Sequence, residues 1–143
     1  MPKATDDSRS KPSLDKRRKS YYRYQRRILH LDGQWDTSDR IKELISKACP
    51  RADVLRTASG VEALAIIKAE PLDLVIVDPW ATELNGFEIC KYVAEHKPYI
   101  PVFVYAQRAL MSDRTLAETA GAAAFFQADD HDALIEAMTT VLE

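Results

Sequence analysis

Five short apolar runs, each followed by a segment in helical period, constrain this chain more than any other feature. The runs are ILHLD (Ile28–Asp32), ADVLRT (Ala52–Thr57), LDLVIV (Leu72–Val77), IPVFVY (Ile100–Tyr105) and AAFFQ (Ala123–Gln127). They are nearly continuous rather than alternating, as in parallel strands covered on both faces. Between them, apolar residues recur at three- and four-residue spacing, which predicts helices. The first helix carries Ile41, Leu44, Ile45 and Ala48, with Thr37, Ser38 and Asp39 as candidate N-caps. The second is capped by Ser59 with Glu62 in a capping-box pattern, turns Val61, Leu64, Ile66 and Ile67 inward, and stops at Pro71. The third runs Phe87–His96, with Phe87, Cys90, Val93 and Ala94 inward. The fourth runs Ser112–Ala120 and ends at Gly121. The fifth runs Asp130–Leu142, with Leu134, Ala137, Met138 and Val141 on one stripe.

Right-handed crossovers leave few ways to join five such units. The predicted fold is α/β: a doubly wound, five-stranded parallel sheet in the order 2-1-3-4-5, with five helices in three layers.

Charge divides the chain. Residues 1–27 hold 10 Lys/Arg against 3 Asp, and residues 28–143 hold 10 against 19 Asp/Glu. Residues 1–26 therefore read as a basic, largely disordered tail, and 27–143 as the folded unit. The tail's Lys16, Arg17, Arg18, Lys19, Arg23, Arg26 and Arg27 suit an acidic partner such as nucleic acid, anionic lipid or a protein. Tyr21, Tyr22 and Tyr24 between them suit base stacking. Cys49 and Cys90 lack metal-ligand spacing and read as small buried hydrophobes. No apolar run reaches the ~20 residues of a membrane span, and no secretory signal opens the chain, so a cytoplasmic location is expected.

In a sheet of this order, functional groups gather at the carboxyl ends of the strands, beside the switch point between the first and third. The residues there are Asp32, Asp78 and Ala106. A carboxylate at such an end can accept a phosphoryl group, hold a divalent cation, or cap its own loop through an Asx-type bond. Trp35 and Trp80 flank the same crevice and suit partner recognition or loop packing. His30, between Leu29 and Leu31, reads as a satisfied strand histidine, and His96 and His131 as solvated helix ends. An enzyme of flavodoxin-like architecture is disfavoured. The loop DGQWDTSD after the first strand has one glycine and three acids, which repel a flavin or nucleotide phosphate.

The stretch GVEALAIIKAEPLDLVIVDPWATELNGFEI (Gly60–Ile89) resembles the middle of a response-regulator receiver domain. ILHLDG (Ile28–Gly33) resembles that family's first strand, and AGAAAFF (Ala120–Phe126) its Gly-Ala segment leading to an aromatic. The resemblance covers about residues 27–143. It implies that Asp78 is the phosphoacceptor, and that Asp32, Asp78 and the Trp80 carbonyl face Mg²⁺. It also implies losses. Gly33 stands where a second metal-organising acid is usual, Ala106 where a switch Thr/Ser is usual, and Ala128 where a lysine is usual. Phe125 keeps the switch aromatic, and Ala81-Thr82 replaces the usual Met-Pro.

The resemblance thus implies an atypical, non-enzymatic receiver of two-component signalling. It would bind Mg²⁺ weakly and act by protein–protein contact with impaired Asp phosphorylation. Implied partners are a histidine kinase, a phosphotransfer protein or a downstream target, with a homodimer through helix four, strand five and helix five as a further expectation. Nothing in the sequence after the fifth helix resembles an output domain, so a stand-alone receiver is expected. The alternative is an adaptor that binds nucleic acid or an anionic surface through the tail.

Overall fold

The computed structural model describes residues 25–33, 35–107 and 110–143. Among the described residues, ten elements alternate: β1 (Arg27–Leu31), α1 (Trp35–Ala48), β2 (Asp53–Thr57), α2 (Gly60–Ala69), β3 (Leu74–Val77), α3 (Gly86–His96), β4 (Val102–Ala106), α4 (Asp113–Ala120), β5 (Ala124–Gln127) and α5 (His131–Leu142). All strand pairs are parallel, and the sheet order is β2-β1-β3-β4-β5, as expected from the apolar runs.

Because strand side chains alternate, each strand serves two cores. Leu29, Leu31, Val75, Val77, Val102 and Val104 face α2, α3 and α4. Ile28, Leu74, Ile76, Phe103 and Tyr105 face α1 and α5, meeting Ile41, Leu44, Ile45, Leu134, Met138 and Leu142. Each fully buried Leu, Ile or Phe contributes about 1.5–3 kcal/mol. These two layers hold the strand ends, and hence the loops, in place.

Several helix details differ from the sequence reading. α1 begins at Trp35, so Thr37, Ser38 and Asp39 lie inside the helix rather than capping it, and Trp35 is helical rather than in a loop. In α2, Gly60, Ala63 and Ile67 are buried and Leu64 and Ile66 pack partly buried against the same core as expected, whereas Val61 is 56% exposed. A Cβ on Gly60 would lie 2.0 Å from the Leu84 carbonyl oxygen; this close approach fixes the rotation of α2 and turns Val61 outward. Only half of the Ser59 capping box forms. Ser59 Oγ accepts the Glu62 N–H at 3.1 Å, but the Glu62 carboxylate takes the Thr57 hydroxyl instead. A complete box forms at Asn85 and Glu88, ahead of α3. In α3, Ile89 is buried and Ala94 is exposed; in α5 Leu134, Met138 and Leu142 are buried and Ala137 packs partly buried beside them, with Val141 38% exposed.

Candidate functional site

β1 and β3 are neighbours, so their carboxyl ends lie side by side. The Asp78 N–H donates to the Leu31 carbonyl at 2.8 Å, and the Asp32 N–H to the Thr57 carbonyl at 2.9 Å. A cleft of about 420 Å³ opens there, lined by Gly33, Asp78, Trp80, Thr82, Ala106, Gln107 and Leu110. Asp32 is 1% exposed, and Asp78 is half-buried.

Local geometry ties Asp78 to the loop that follows. The Trp80 N–H donates to Asp78 Oδ1 at 2.7 Å, an Asx-type bond. A Cβ on Gly86 would fall 2.5 Å from the Asp78 carbonyl oxygen, so only glycine lets α3 start this close to the site. Thr82 Oγ1 donates to the Ala58 carbonyl at 3.2 Å, and Ser59 donates to the Glu83 carboxylate, which anchors the loop to α2. Burial raises the Asp78 carboxyl above its ordinary value, and the charges of Asp32 and Asp113 push the same way. The Trp80 N–H opposes them.

The donor set suits a hard cation, since Asp32, Asp78 and the Trp80 carbonyl offer only oxygen. The Trp80 oxygen lies 3.8 Å from where a Gly33 Cβ would stand, on the Asp32 side of the cleft. That same Cβ would approach the Ala81 Cα to 3.3 Å. Two carboxylates remain, and among the described residues no three His, Cys, Asp or Glu side chains are grouped to share a metal ion.

Ala106 is buried at the end of β4, opposite Gln127 in register. At Ala128 only the backbone takes part in a bond the structure shows, its carbonyl accepting the Tyr105 hydroxyl at 3.3 Å. Phe125 is 8% exposed, and the Arg114 guanidinium sits 4.9 Å from its ring centre. Trp80 is 52% exposed and meets Phe87 edge-on at 5.5 Å.

Other singled-out residues fall away from the cleft. His30 is 2% exposed beside Arg56 in register; burial, then the Arg56 charge, lowers its pKa to about 3. Cys90 is buried and its thiol is pushed up to about 12, while Cys49 is half-buried; both are free thiols. Arg26 and Arg27 hold the body itself, at the end of the sheet opposite Asp78, which differs from their place in a free basic tail. Arg26 donates to the Leu142 and Glu143 carbonyls at 2.8 and 3.1 Å. Arg27 pairs with Asp53 and Glu70 at 3.3 and 2.5 Å. Lys16, Arg17, Arg18, Lys19, Arg23 and the tail tyrosines lie outside the described residues.

Asp113, at the start of α4, was not singled out in the sequence. It is fully buried; Oδ2 accepts the Leu110 N–H at 2.8 Å, and Oδ1 has no hydrogen-bond partner. The one local signal was its place at the head of an amphipathic segment, where the reading put Ser112 as the first helical residue. Ser112 makes no side-chain cap bond.

The sequence model described as the response regulator receiver domain matches residues 28–139. The transcriptional regulatory protein YvrH of Bacillus subtilis (strain 168) is 30% identical over 95 residues, which is 66% of this chain and 39% of that protein. This chain therefore spans about two-fifths of that relative's length. Among solved structures, a CheY-like response regulator receiver domain protein from Methanospirillum hungatei JF-1 superposes with a TM-score of 0.71 at 22% identity, covering 82% of this chain and 93% of the other. A response regulator receiver domain protein from Clostridium thermocellum gives 0.70 at 22% identity, covering 82% and 94%. Among the described residues, no helix is long and apolar enough to cross a membrane.

Proposed function

Because the chain belongs to the response regulator receiver domain family, we propose that it signals chiefly by protein–protein contact, with Asp78 as a phosphoacceptor of impaired chemistry. The observation that carries this is the cleft itself: Asp78 lines it together with Gly33 and Ala106.

Phosphoryl transfer to a carboxylate is catalysed by positioning and by neutralising the oxygens of the transferred group. Asp78 is positioned by the Trp80 N–H and by the approach of Gly86. Asp32, Asp78 and the Trp80 carbonyl are the oxygens that would hold one divalent cation, which supplies charge neutralisation when bound. Ala106 offers no hydroxyl and Ala128 no ammonium to the phosphoryl oxygens. The acceptor is therefore kept while much of its support is missing.

The partner surface of this reading is the face of α4, β5 and α5. Leu116 on α4 and Val141 on α5 are 41% and 38% exposed, and Arg114 on α4 covers the Phe125 ring of β5. Burial of Phe125 contributes about 1.5–3 kcal/mol, and the cation–π contact about 0.5–1 kcal/mol more. Turning a 1:99 population into 99:1 takes about 5.5 kcal/mol of differential binding. Without the hydroxyl and the lysine, phosphorylation lacks contacts to supply it, so one arrangement of this face dominates.

The test is reaction with phosphoramidate and Mg²⁺ followed by intact-protein mass spectrometry. Slow, partial labelling that is absent in Asp78→Asn is expected. Rapid, complete labelling, or labelling that survives the substitution, contradicts the proposal.

A further inference from the structure

We propose that the cleft beside Asp78 is a binding site for a planar guanidinium cation, the group carried by an arginine side chain of a partner protein. The proposal deepens the reading that this chain acts by protein–protein contact, and it rests on that reading for the source of the cation.

The charge in the cleft calls for a counter-ion. Asp78 is half-buried, and its Oδ1 accepts the Trp80 N–H at 2.7 Å. Among the described residues no hydrogen bond reaches Oδ2, and no Lys, Arg or His pairs with the carboxylate. Charges taken out of water are normally paired or bound to a cation. Asp32, 1% exposed at the end of the neighbouring strand, adds a second negative group at the same edge of the sheet.

The lining decides which cation. The cleft holds about 420 Å³, and Gly33, Ala106 and Leu110 give its wall no polar side chain. That volume falls within the roughly 300–1,000 Å³ of sites for organic ligands. Mg²⁺ keeps several waters and asks for near-octahedral oxygen, which these walls do not offer. Trp80 supplies an aromatic wall, 52% exposed and held edge-on to Phe87 at 5.5 Å. Aromatic faces attract cations and stack on guanidinium planes. Thr82 Oγ1 gives its proton to the Ala58 carbonyl at 3.2 Å, which leaves the oxygen to accept in the cleft. The Gln107 amide adds a further oxygen. Acceptors spread beside an aromatic wall match the flat face and five N–H donors of a guanidinium better than the point charge of an ammonium. Leu110, 61% exposed, lines the cleft and leads into α4, so a protein seated on the α4 side borders the site.

The experiment titrates the full chain with ethylguanidinium chloride at constant ionic strength, read by amide and indole nuclear magnetic resonance. Saturable shifts are expected at Gly33, Trp80, Thr82 and Gln107. Asp78→Asn should weaken binding at least about tenfold, and Trp80→Ala about two- to fivefold. n-Butylammonium, equal in charge, should bind more weakly. Arg108, outside the described residues, carries the same group, so the titration is repeated in Arg108→Ala, where binding should be equal or tighter. Three results overturn the proposal: shifts that saturate in neither chain, shifts that survive Asp78→Asn undiminished, or shifts that n-butylammonium reproduces at equal concentration. The acetylated, amidated tripeptide glycyl-arginyl-glycine tests the source. Tighter binding than ethylguanidinium supports a partner side chain; equal or weaker binding overturns that source and leaves the cation site. No phosphoryl donor is used, so the result stands apart from whether Asp78 is phosphorylated.

Discussion

The backbone N–H of Trp80 holds Asp78 Oδ1 at 2.7 Å, and this is the one influence that lowers a carboxyl otherwise raised by burial and by its acidic neighbours. The raised value means that the folded state favours the protonated form. Stability from this group is therefore full below the ordinary value of 3.8 and is lost as pH rises through the folded value. Asp78→Asn keeps an acceptor for Trp80 and removes the penalty. Its urea midpoint should exceed the wild type's at pH 7, with the difference closing in acid. Equal midpoints at pH 7 would show that the site tolerates the charge without cost.

His30 is expected to contribute acid sensitivity to the fold. It is buried, with a pKa lowered to about 3 against an ordinary 6.5, so the unfolded chain binds its proton first. Stability from this group is present above pH ~6.5 and is lost as pH falls toward 3, by up to about 1.4 kcal/mol per unit. His30→Leu should flatten the denaturation profile across that window. A profile unchanged by the substitution would place the acid sensitivity elsewhere.

Gly86→Ala should destabilise the domain by about 1–3 kcal/mol, the usual scale of overpacking. The added Cβ would stand 2.5 Å from the Asp78 carbonyl oxygen, which is backbone and cannot swing aside. Chemical denaturation gives the loss, and displaced amide signals at Asp78 and Trp80 should accompany it. A loss within experimental error would mean that α3 can shift freely.

Gly33→Asp restores a second acid at the end of β1. The new Cβ meets Ala81 Cα at 3.3 Å, a contact relieved by a few tenths of an ångström of loop movement. The wild type should lack sub-millimolar Mg²⁺ affinity, and the variant should bind at least about tenfold tighter, worth roughly 1.4 kcal/mol. Isothermal titration checks both, with Asp78→Asn as the control that abolishes the gain. Tight binding by the wild type would show that Asp32, Asp78 and waters suffice.

Sheet order, the ten elements and the places of Asp32, Asp78, Ala106 and Phe125 were legible in the sequence. Continuous apolar runs and their helical spacers are local patterns, and right-handed crossovers leave little freedom in joining them. Helix rotation was legible only in part, since Ile41, Ile67, Cys90, Val93, Leu134 and Met138 are buried as expected while Val61, Ala94 and Val141 are exposed. Val61 and Ile67 are equally apolar, and the choice between them fell to Gly60 pressing on Leu84, a residue 24 positions away. The pairing of Arg26 and Arg27 with the body was not legible, because the acids that hold them, Asp53, Glu70 and Asp73, come from other segments. Asp113 was missed for the same reason. An aspartate in a polar stretch looks solvated, and only packing of α4 against the sheet buries it with one oxygen unpaired. Periodicity records which residues prefer to be covered, whereas the tertiary structure decides which polar groups are covered with them and which contacts they find there.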